Sequence, residues 1–526
     1  MTKDSQTYID KPFNVRPLVL WAIIVGLTIF FGNLSISYGW WIIGIWLGVI
    51  IGFFILLNAI KNKHKDRVFV FLAGNKSFFV ATIVLILAAI VSFGITTMVY
   101  SNQYHFTGNG EVTGIVRAHR IDDDGFGSVT LANVRFNDQS VSGRVRINVR
   151  NLNEESIANI SFGNIIRTEA VLSPINVSGF SVNNRIRYSA SINGVDIEFI
   201  RQSNDFRSIA LRHSYNFLHR FMSDGPANLI YSMMFGDRST LDDEVQQDFR
   251  LNGLAHVLAV SGLHVGLIVA IVLGFLKILR LDKKYQFLIL IFVVCFYTYL
   301  ADFRVSILRS GIMFLVLAGN RLLIRRPDFL SSICLAFVII LVLFPYSLFS
   351  LGFQLSFGCM FGIALFNRPI TNGLKKFLNV PVPFEKFRNL VVSSISMYTT
   401  TAITTFPFII ATFGFYSAIG IFANLLLLPI LILAFQLSAI ALVTYVGFPL
   451  LYLVDVMLRF VLHASNALAN MSWGQIYINT NSWIMWFYFL GLVIMSRFIF
   501  MRRRYRYISA AILFGIYGLA LLVLNT

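Results

Sequence analysis

Apolar runs of about 18 or more residues recur along this chain, and each is close to the length a helix needs to cross a hydrocarbon layer. In such a layer every backbone polar group must find a partner within the chain, which leaves helices and closed barrels as solutions. Composition agrees, with 56% of the 526 residues hydrophobic, 15% aromatic and 13% charged. A soluble domain carries about 25% charged residues, so the chain reads as an integral membrane protein. The first run, LVLWAIIVGLTIFFGNLSI, lacks a small-residue cleavage site and is followed by further runs. It is expected to be an anchor, not a removed leader.

Spans are expected near 18–36, 40–60, 78–99, 252–279, 286–301, 304–322, 329–345, 350–366, 390–411, 417–445, 446–466, 482–499 and 507–525. The expected fold class is thus a polytopic α-helical membrane protein of about 11–13 spans. The net charge of +18 could suggest nucleic-acid binding, but much of it sits beside these spans: KNKHKDR at 61, RLDKK at 280, RLLIRRPD at 321, the 367–388 loop and RRRYR at 502. With the N-terminus inside, all five fall on the cytoplasmic side, as the positive-inside rule asks. The cysteines Cys295, Cys334 and Cys359 lie in apolar segments without a CxxC pair, which speaks against a thiolate zinc site or a disulfide framework.

Four regions follow: a membrane anchor region over 1–100, a β domain over 101–205, an amphipathic linker over 206–230 and a membrane channel domain over 231–526. Residues 101–205 hold Gly, Asn and Ser clusters between alternating runs such as GEVTGIVRAHR, GSVTLANVRF, SGRVRINVR, IIRTEAVL and RIRYSASI. About five short strands at this spacing predict a small closed or partly open β-barrel, OB-like and placed outside the cytoplasmic membrane. It carries ten Arg, no Lys and eleven Asp or Glu. In RVRINVR, Arg144, Arg146 and Arg150 share one strand face and Val145, Ile147 and Val149 the other; Arg185 and Arg187 repeat the pattern. Two readings fit: a solvated face over a buried one, or an arginine stripe that follows a phosphate backbone. The segment FRSIALRHSYNFLHRFM, 206–222, is amphipathic and basic, and is expected at the outer membrane surface.

The run GLAHVLAVSGLHVGLIVAIVLGFLKILR, 253–280, places His256, Ser261 and His264 among apolar residues. Read as one helix, it sets Ser261 and His264 on one face. Gly262 and Gly266 form a small-xxx-small pair suited to a close helix crossing. Arg309, Gln354 and Asn424 lie in other spans about four to seven residues below the outer boundary, or roughly 6–11 Å at 1.5 Å per residue. Polar groups at one depth suggest a hydrated vestibule, with Asp302 the nearest acidic neighbour of Arg309 in sequence. Asp455, Arg459 and His463 form an i, i+4, i+8 stripe that fits either an intramembrane ion pair in the bundle interior or a surface helix face.

A Ser–His hydrolase would need an elbow and an oxyanion hole, and neither accompanies Ser261. His-Glu-x-x-His is absent, since Val257 follows His256, and no His-x-His pair occurs. No catalytic residue, metal ligand or cofactor is assigned.

MMFGDRSTLDDEVQQDFRLNGLAHVLAVSGLHVGLI, LRSGIM, FPYSLFSLGFQLSFG and FYSAIGIFANLLLLPI occur in this order. The series resembles ComEC-type competence channels, which pass single-stranded DNA across the cytoplasmic membrane during natural transformation. The resemblance implies a DNA channel, an OB-like domain at the barrel, a surface DNA receptor and a cytoplasmic helicase as partners. Many relatives carry a C-terminal metallo-β-lactamase-like domain. Its His-x-His-x-Asp-His motif does not occur here, so nuclease activity is not expected. The competing classes are a permease or flippase for a small anionic or lipid substrate, an intramembrane hydrolase, and a structural membrane subunit.

Overall fold

A computed structural model describes residues 17–38, 45–46, 76–101, 106–121, 126–152, 159–175, 178–193, 197–258, 260–323, 329–377, 385–471, 474–478, 480, 484–495 and 503–525. The expected span over 40–60 falls outside them, apart from 45–46. Two compact units emerge, one from Met1–Thr96, Val316–Tyr416 and Ile476–Thr526, the other from Thr97–Leu315 and Ser417–Gln475.

The chain starts with helices α1 (Pro17–Tyr38) and α2 (Lys76–Ser101), then passes into strands β1 (Gly108–Ile121), β2 (Gly127–Phe136), β3 (Arg144–Arg150), β4 (Asn164–Pro174), β5 (Ile186–Asn193) and β6 (Glu198–Gln202). Helices follow: α3 (Phe206–Phe221), α4 (Asp224–Phe235), α5 (Asp243–Leu251), α6 (Ala255–Leu258), α7 (Gly262–Ile278), α8 (Lys283–Leu300), α9 (Val305–Leu323) and α10 (Phe329–Leu343). The last group is α11 (Leu351–Gly362), α12 (Arg368–Phe377), α13 (Glu385–Phe413), α14 (Gly420–Thr444), α15 (Leu450–Ala469), α16 (Met485–Met495) and α17 (Arg503–Asn525). Among the described residues α1, α2, α8, α14 and α15 are long and apolar enough to cross a membrane. Helices α7, α9, α10 and α17 carry shorter apolar stretches. Large apolar side chains such as Phe292 and Val443 are exposed on these helices, where a water-facing helix would carry polar ones.

In the first unit small residues set the crossings. Gly26 of α1 lies against Phe337 of α10, and a Cβ on Gly362 of α11 would come 2.6 Å from Thr404 of α13. Trp21 Nε1 donates to Thr82 Oγ1 at 2.9 Å, tying α1 to α2. The 367–388 segment, expected as a loop, is helical in its first half. A π turn, Ile363–Asn367, joins α11 to α12. Asn367 Oδ1 and Thr371 Oγ1 both meet Ser396 Oγ of α13, at 2.8 and 2.7 Å, and this packing keeps the basic segment wound.

In the second unit the alternation of the 101–205 region closes a barrel. Strand β1 pairs antiparallel with β2 and β4, β2 with β3, and β5 antiparallel with β4 and parallel with β3. The ring therefore runs β1-β2-β3-β5-β4-β1, with β6 appended to β4. Register shifts in β1 at Thr113–Ile115 and Val116–Ala118 let one long strand bend round to serve both neighbours. Val116, Leu131, Val145, Ile147, Ile166 and Leu172 fill the interior, and the short β4–β5 pairing at Ser173 and Pro174 closes the ring.

The 206–222 segment is α3 together with Met222, and its polar face is not simply solvated: Arg207 and Ser208 are buried, while Phe206 and Ile209 are exposed. Asp205 caps α3, accepting from Ser208 N at 3.3 Å and Ser208 Oγ at 2.7 Å. It also accepts from Ser203 Oγ and pairs with Arg117 of β1 at 3.2 Å. Burial alone would raise the Asp205 pKa, but these hydrogen bonds and the Arg117 charge outweigh it and hold the carboxyl at about 2.

Because the folded value lies below the ordinary 3.8, the stability Asp205 contributes is complete above pH ~4 and is lost as pH falls through about 2. The melting midpoint of the parent in detergent should therefore drop more steeply from pH ~5 to ~2 than that of Asp205→Asn. Parallel curves would contradict this. Asp205→Ala should cost about 1 kcal/mol at neutral pH through the lost cap.

Candidate functional site

The expected span over 252–279 is not one helix. Helix α6 ends at Leu258 and α7 starts at Gly262, because Ser261 adopts an extended N-cap conformation (φ −122°, ψ 176°). Leu263 N–H donates to Ser261 Oγ at 3.3 Å, and Ser261 N–H donates to His264 Nδ1 at 3.1 Å. The two side chains thus form a reciprocal capping box, not a pair on one helix face. Both acceptors are engaged by backbone N–H groups, an arrangement that does not prepare the serine as a nucleophile. His264 is fully buried and stacks on Phe435 at 4.8 Å. With Nδ1 accepting, a neutral ring carries its hydrogen on Nε2, which is buried without a hydrogen-bond partner among the described residues. His256, in α6, is exposed, with Nδ1 3.2 Å from Gly253 O.

A break in a helix strands carbonyls, and here neighbouring elements take them up. Arg238 Nε donates to Leu258 O at 3.1 Å, and Ser306 Oγ of α9 donates to Val260 O at 2.8 Å. The turn that presents Arg238 needs Gly236, which ends α4 at φ +77°. A Cβ there would lie 2.8 Å from both Arg304 Nη1 and Val260 Cγ2. Tyr297 of α8 donates to Met234 O at 2.8 Å, and buried Asp237 accepts from Ser239 N–H at 3.1 Å and Ser239 Oγ at 2.6 Å. Gly262 and Gly266 face α9: a Cβ on the first would come 2.8 Å from Ser310 Oγ and on the second 3.0 Å from Phe314 Cζ.

Among the other expected vestibule residues, Arg309 of α9 is buried in the second unit. Asn424 donates to Gly420 O of its own helix at 2.7 Å. Gln354 belongs to the first unit and donates to Leu348 O at 3.1 Å. The 455–463 stripe divides: Asp455 is buried and accepts from Ser223 N–H at 2.8 Å and Ser223 Oγ at 2.6 Å, capping α4. Arg459 pairs with it at 2.7 Å but is exposed, as is His463.

A second polar region joins the barrel to the α8–α9 loop. Arg144 of β3 pairs with Asp302 at 2.7 Å, so the acid read as the nearest neighbour of Arg309 is engaged from the barrel. The Arg185 guanidinium lies 5.5 Å from the centre of the Phe303 ring, and Arg187 lies 5.3 Å from that of Tyr100. Gly143 (φ +97°) gives way to the Arg187 stem, which a Cβ would approach to 2.8 Å. Arg207 donates Nε to Leu300 O at 2.8 Å and stacks on Phe162. Burial pushes the Arg207 pKa down to about 10 and lowers that of Arg144, the Asp302 charge opposing both shifts. Burial likewise lowers the pKa of His119, with Asp237 opposing. Within the arginine stripe the alternation is retained, with Val145, Ile147 and Val149 buried and Arg150 exposed. No group of three or more His, Cys, Asp or Glu residues able to hold a metal occurs among the described residues.

A family model described as competence protein matches residues 233–503, just over half of the chain. The chain belongs to the competence protein family. The match takes in the Gly236 turn, the broken helix and the α8–α9 loop; the barrel precedes it. The chain is 30% identical over 161 residues to ComE operon protein 3 of Bacillus subtilis, covering 30% of this chain and 21% of that protein. It is 26% identical over 272 residues to an uncharacterized protein of Aquifex aeolicus, covering 51% of this chain and 58% of the relative. The chain thus spans about a fifth and under three fifths of these curated relatives. No solved structure matches it.

Sequence reading missed Arg117, Arg207, Arg238, Arg304 and Ser306. Arg238 and Ser306 follow from the break at Ser261, which strands the carbonyls they take up and which only the fold reveals. Ser261→Ala in this competence-family chain should lower stability by about 1 kcal/mol, with Ser261→Asp restoring most of it because aspartate also caps. Thermal unfolding in detergent checks this. An unchanged midpoint in the alanine variant would mean that Ser261 does not hold the break.

Proposed function

We propose that this protein passes DNA, as a single strand, across the cytoplasmic membrane during natural transformation. Membership of the competence protein family is the observation that carries this reading. The similarity to ComE operon protein 3 of Bacillus subtilis supports it. The ring order with parallel β3 and β5 supports an OB-like domain, a fold that binds oligonucleotides on its strand face. In this reading the apolar helices insert in the membrane and the barrel stands outside it. A surface receptor delivers DNA and a cytoplasmic helicase draws it in. Arg144, Arg146, Arg150, Arg185 and Arg187 contact the backbone of the arriving strand. His256, Ser261, His264, Arg309 and Asn424 belong to the polar path, and the chain acts as a channel without catalysis of its own.

Breaks in membrane helices occur where backbone is held by protein or lines a cavity, and they recur at transport sites. The α6–α7 break fits that pattern: its carbonyls are taken by Arg238 and Ser306 while His264 keeps one buried nitrogen unpartnered among the described residues.

Deletion of the gene should leave DNA binding at the cell surface intact and abolish DNA entry into the cytoplasm; normal transformation by the deletion strain would overturn the proposal. Arg309→Ala should abolish entry at normal protein abundance, and Arg309→Lys should retain part of it. A permease for a small substrate would instead show undiminished transformation in both.

A further inference from the structure

The α8–α9 loop holds two successive non-glycine residues in the left-handed region, Asp302 at φ +64° and Phe303 at φ +51°. Asparagine and aspartate are enriched in that conformation, whereas for a bulky aromatic it is a strained outlier. The strained pair is what reaches the barrel: Asp302 onto Arg144 at 2.7 Å, Phe303 beneath Arg185 at 5.5 Å. Around this contact Arg117, Arg185 and Arg304 lie within electrostatic range of Arg144, and Arg207 lies within range of Asp302, Arg117 and Arg304.

Among the described residues the charges at this junction do not balance. Five guanidiniums, Arg117, Arg144, Arg185, Arg207 and Arg304, meet two carboxylates, Asp205 and Asp302, while Asp237 lies by His119 and Tyr231. Asp205 is already engaged by Arg117 and by serine hydroxyls. Arg207 is only 5% exposed, and its Nη1 is buried without a hydrogen-bond partner among the described residues. A buried guanidinium with an open donor, such as Arg207, is costly unless an anion completes it. Guanidinium forks match phosphate oxygens better than ammonium groups do. The exposed Arg185 and the 40%-exposed Phe303 ring beside it supply the arginine and aromatic surfaces on which unstacked bases lie.

We infer that Arg117, Arg144, Arg185, Arg207 and Arg304 form a site for a phosphodiester group of a single-stranded nucleic acid, and that Asp302 occupies it until the strand displaces the carboxylate. The inference rests on the DNA-transport reading above and adds to it a self-occupied binding site. The ion pair is a gate: the strand replaces one acceptor of Arg144 by another, and the left-handed loop releases its strain as Asp302 leaves.

The test uses the purified full-length chain in detergent with a fluorescent thymidine dodecamer at low salt. Asp302→Asn should tighten binding by about tenfold, since the strand no longer competes with an internal anion. Arg185 is exposed and lies outside the ion pair, so Arg185→Gln tests the site in a chain that folds; it should weaken binding about fivefold and cancel most of the gain in the double variant. Unchanged or weaker binding in a folded Asp302→Asn protein, or equal binding in Arg185→Gln, would overturn the site. Inorganic pyrophosphate should compete with the dodecamer in Asp302→Asn more strongly than in the parent; equal competition counts against the gate. Abolished DNA entry in the deletion strain, with binding insensitive to both residues, would remove this site alone. Binding tuned by both residues, with DNA entry intact in the deletion strain, would remove the transport reading alone.

Discussion

The second unit is organised around one backbone constraint: a helix interrupted inside an apolar bundle must have its stranded N–H and C=O groups satisfied by protein. The break before Gly262 meets that demand on both sides. Ser261 and His264 close the amino end of α7 on each other, and Arg238 and Ser306 take the carbonyls of Leu258 and Val260. Each partner imposes its own requirement. Arg238 needs the left-handed turn at Gly236, which in turn leaves no room for a side chain between Arg304 and Val260. Ser306 needs α9 close to the break, and Gly262 and Gly266 permit the approach of α9 to α7. The glycines, the serines and the arginine of this region are therefore one arrangement.

Much of this was legible in the sequence as residue types and little as geometry. The alternation of RVRINVR gave the buried and polar faces of β3, because a strand has a period of two and nothing else in the stretch competes. The small closed barrel followed from the same signal repeated five times. The break at Ser261 was not legible, because hydropathy averages over a window and a cap serine changes the average little. An unbroken helix and a broken one have the same composition; what separates them is whether other elements can supply donors, and that is a tertiary fact. Asp302 shows the same limit. Spacing made it the nearest acid to Arg309, yet two left-handed residues turn it toward the barrel, where Arg144 holds it.

The junction explains why the arginines of the barrel are not equivalent. Arg150 is exposed on the sheet, whereas Arg144 is half-buried and paired with Asp302 of the α8–α9 loop and Arg185 lies over an aromatic ring. A stripe read from one strand becomes, in three dimensions, a cluster fed by β1, β3, α3 and the α8–α9 loop. A net positive, partly dehydrated cluster attracts anions more strongly than a solvated row of the same charges, since the effective dielectric is lower.

Under the proposed function, incoming DNA passes the polar groups of the broken-helix region as a single strand. A photocrosslinking amino acid placed at position 264 or 309 tests this in transforming cells, with Val443, 88% exposed on an apolar helix, as the comparison site. The account predicts covalent capture of incoming single-stranded DNA from positions 264 and 309 and none from 443. Equal capture at all three positions, or none at 264 and 309 in cells that still take up DNA, would contradict it.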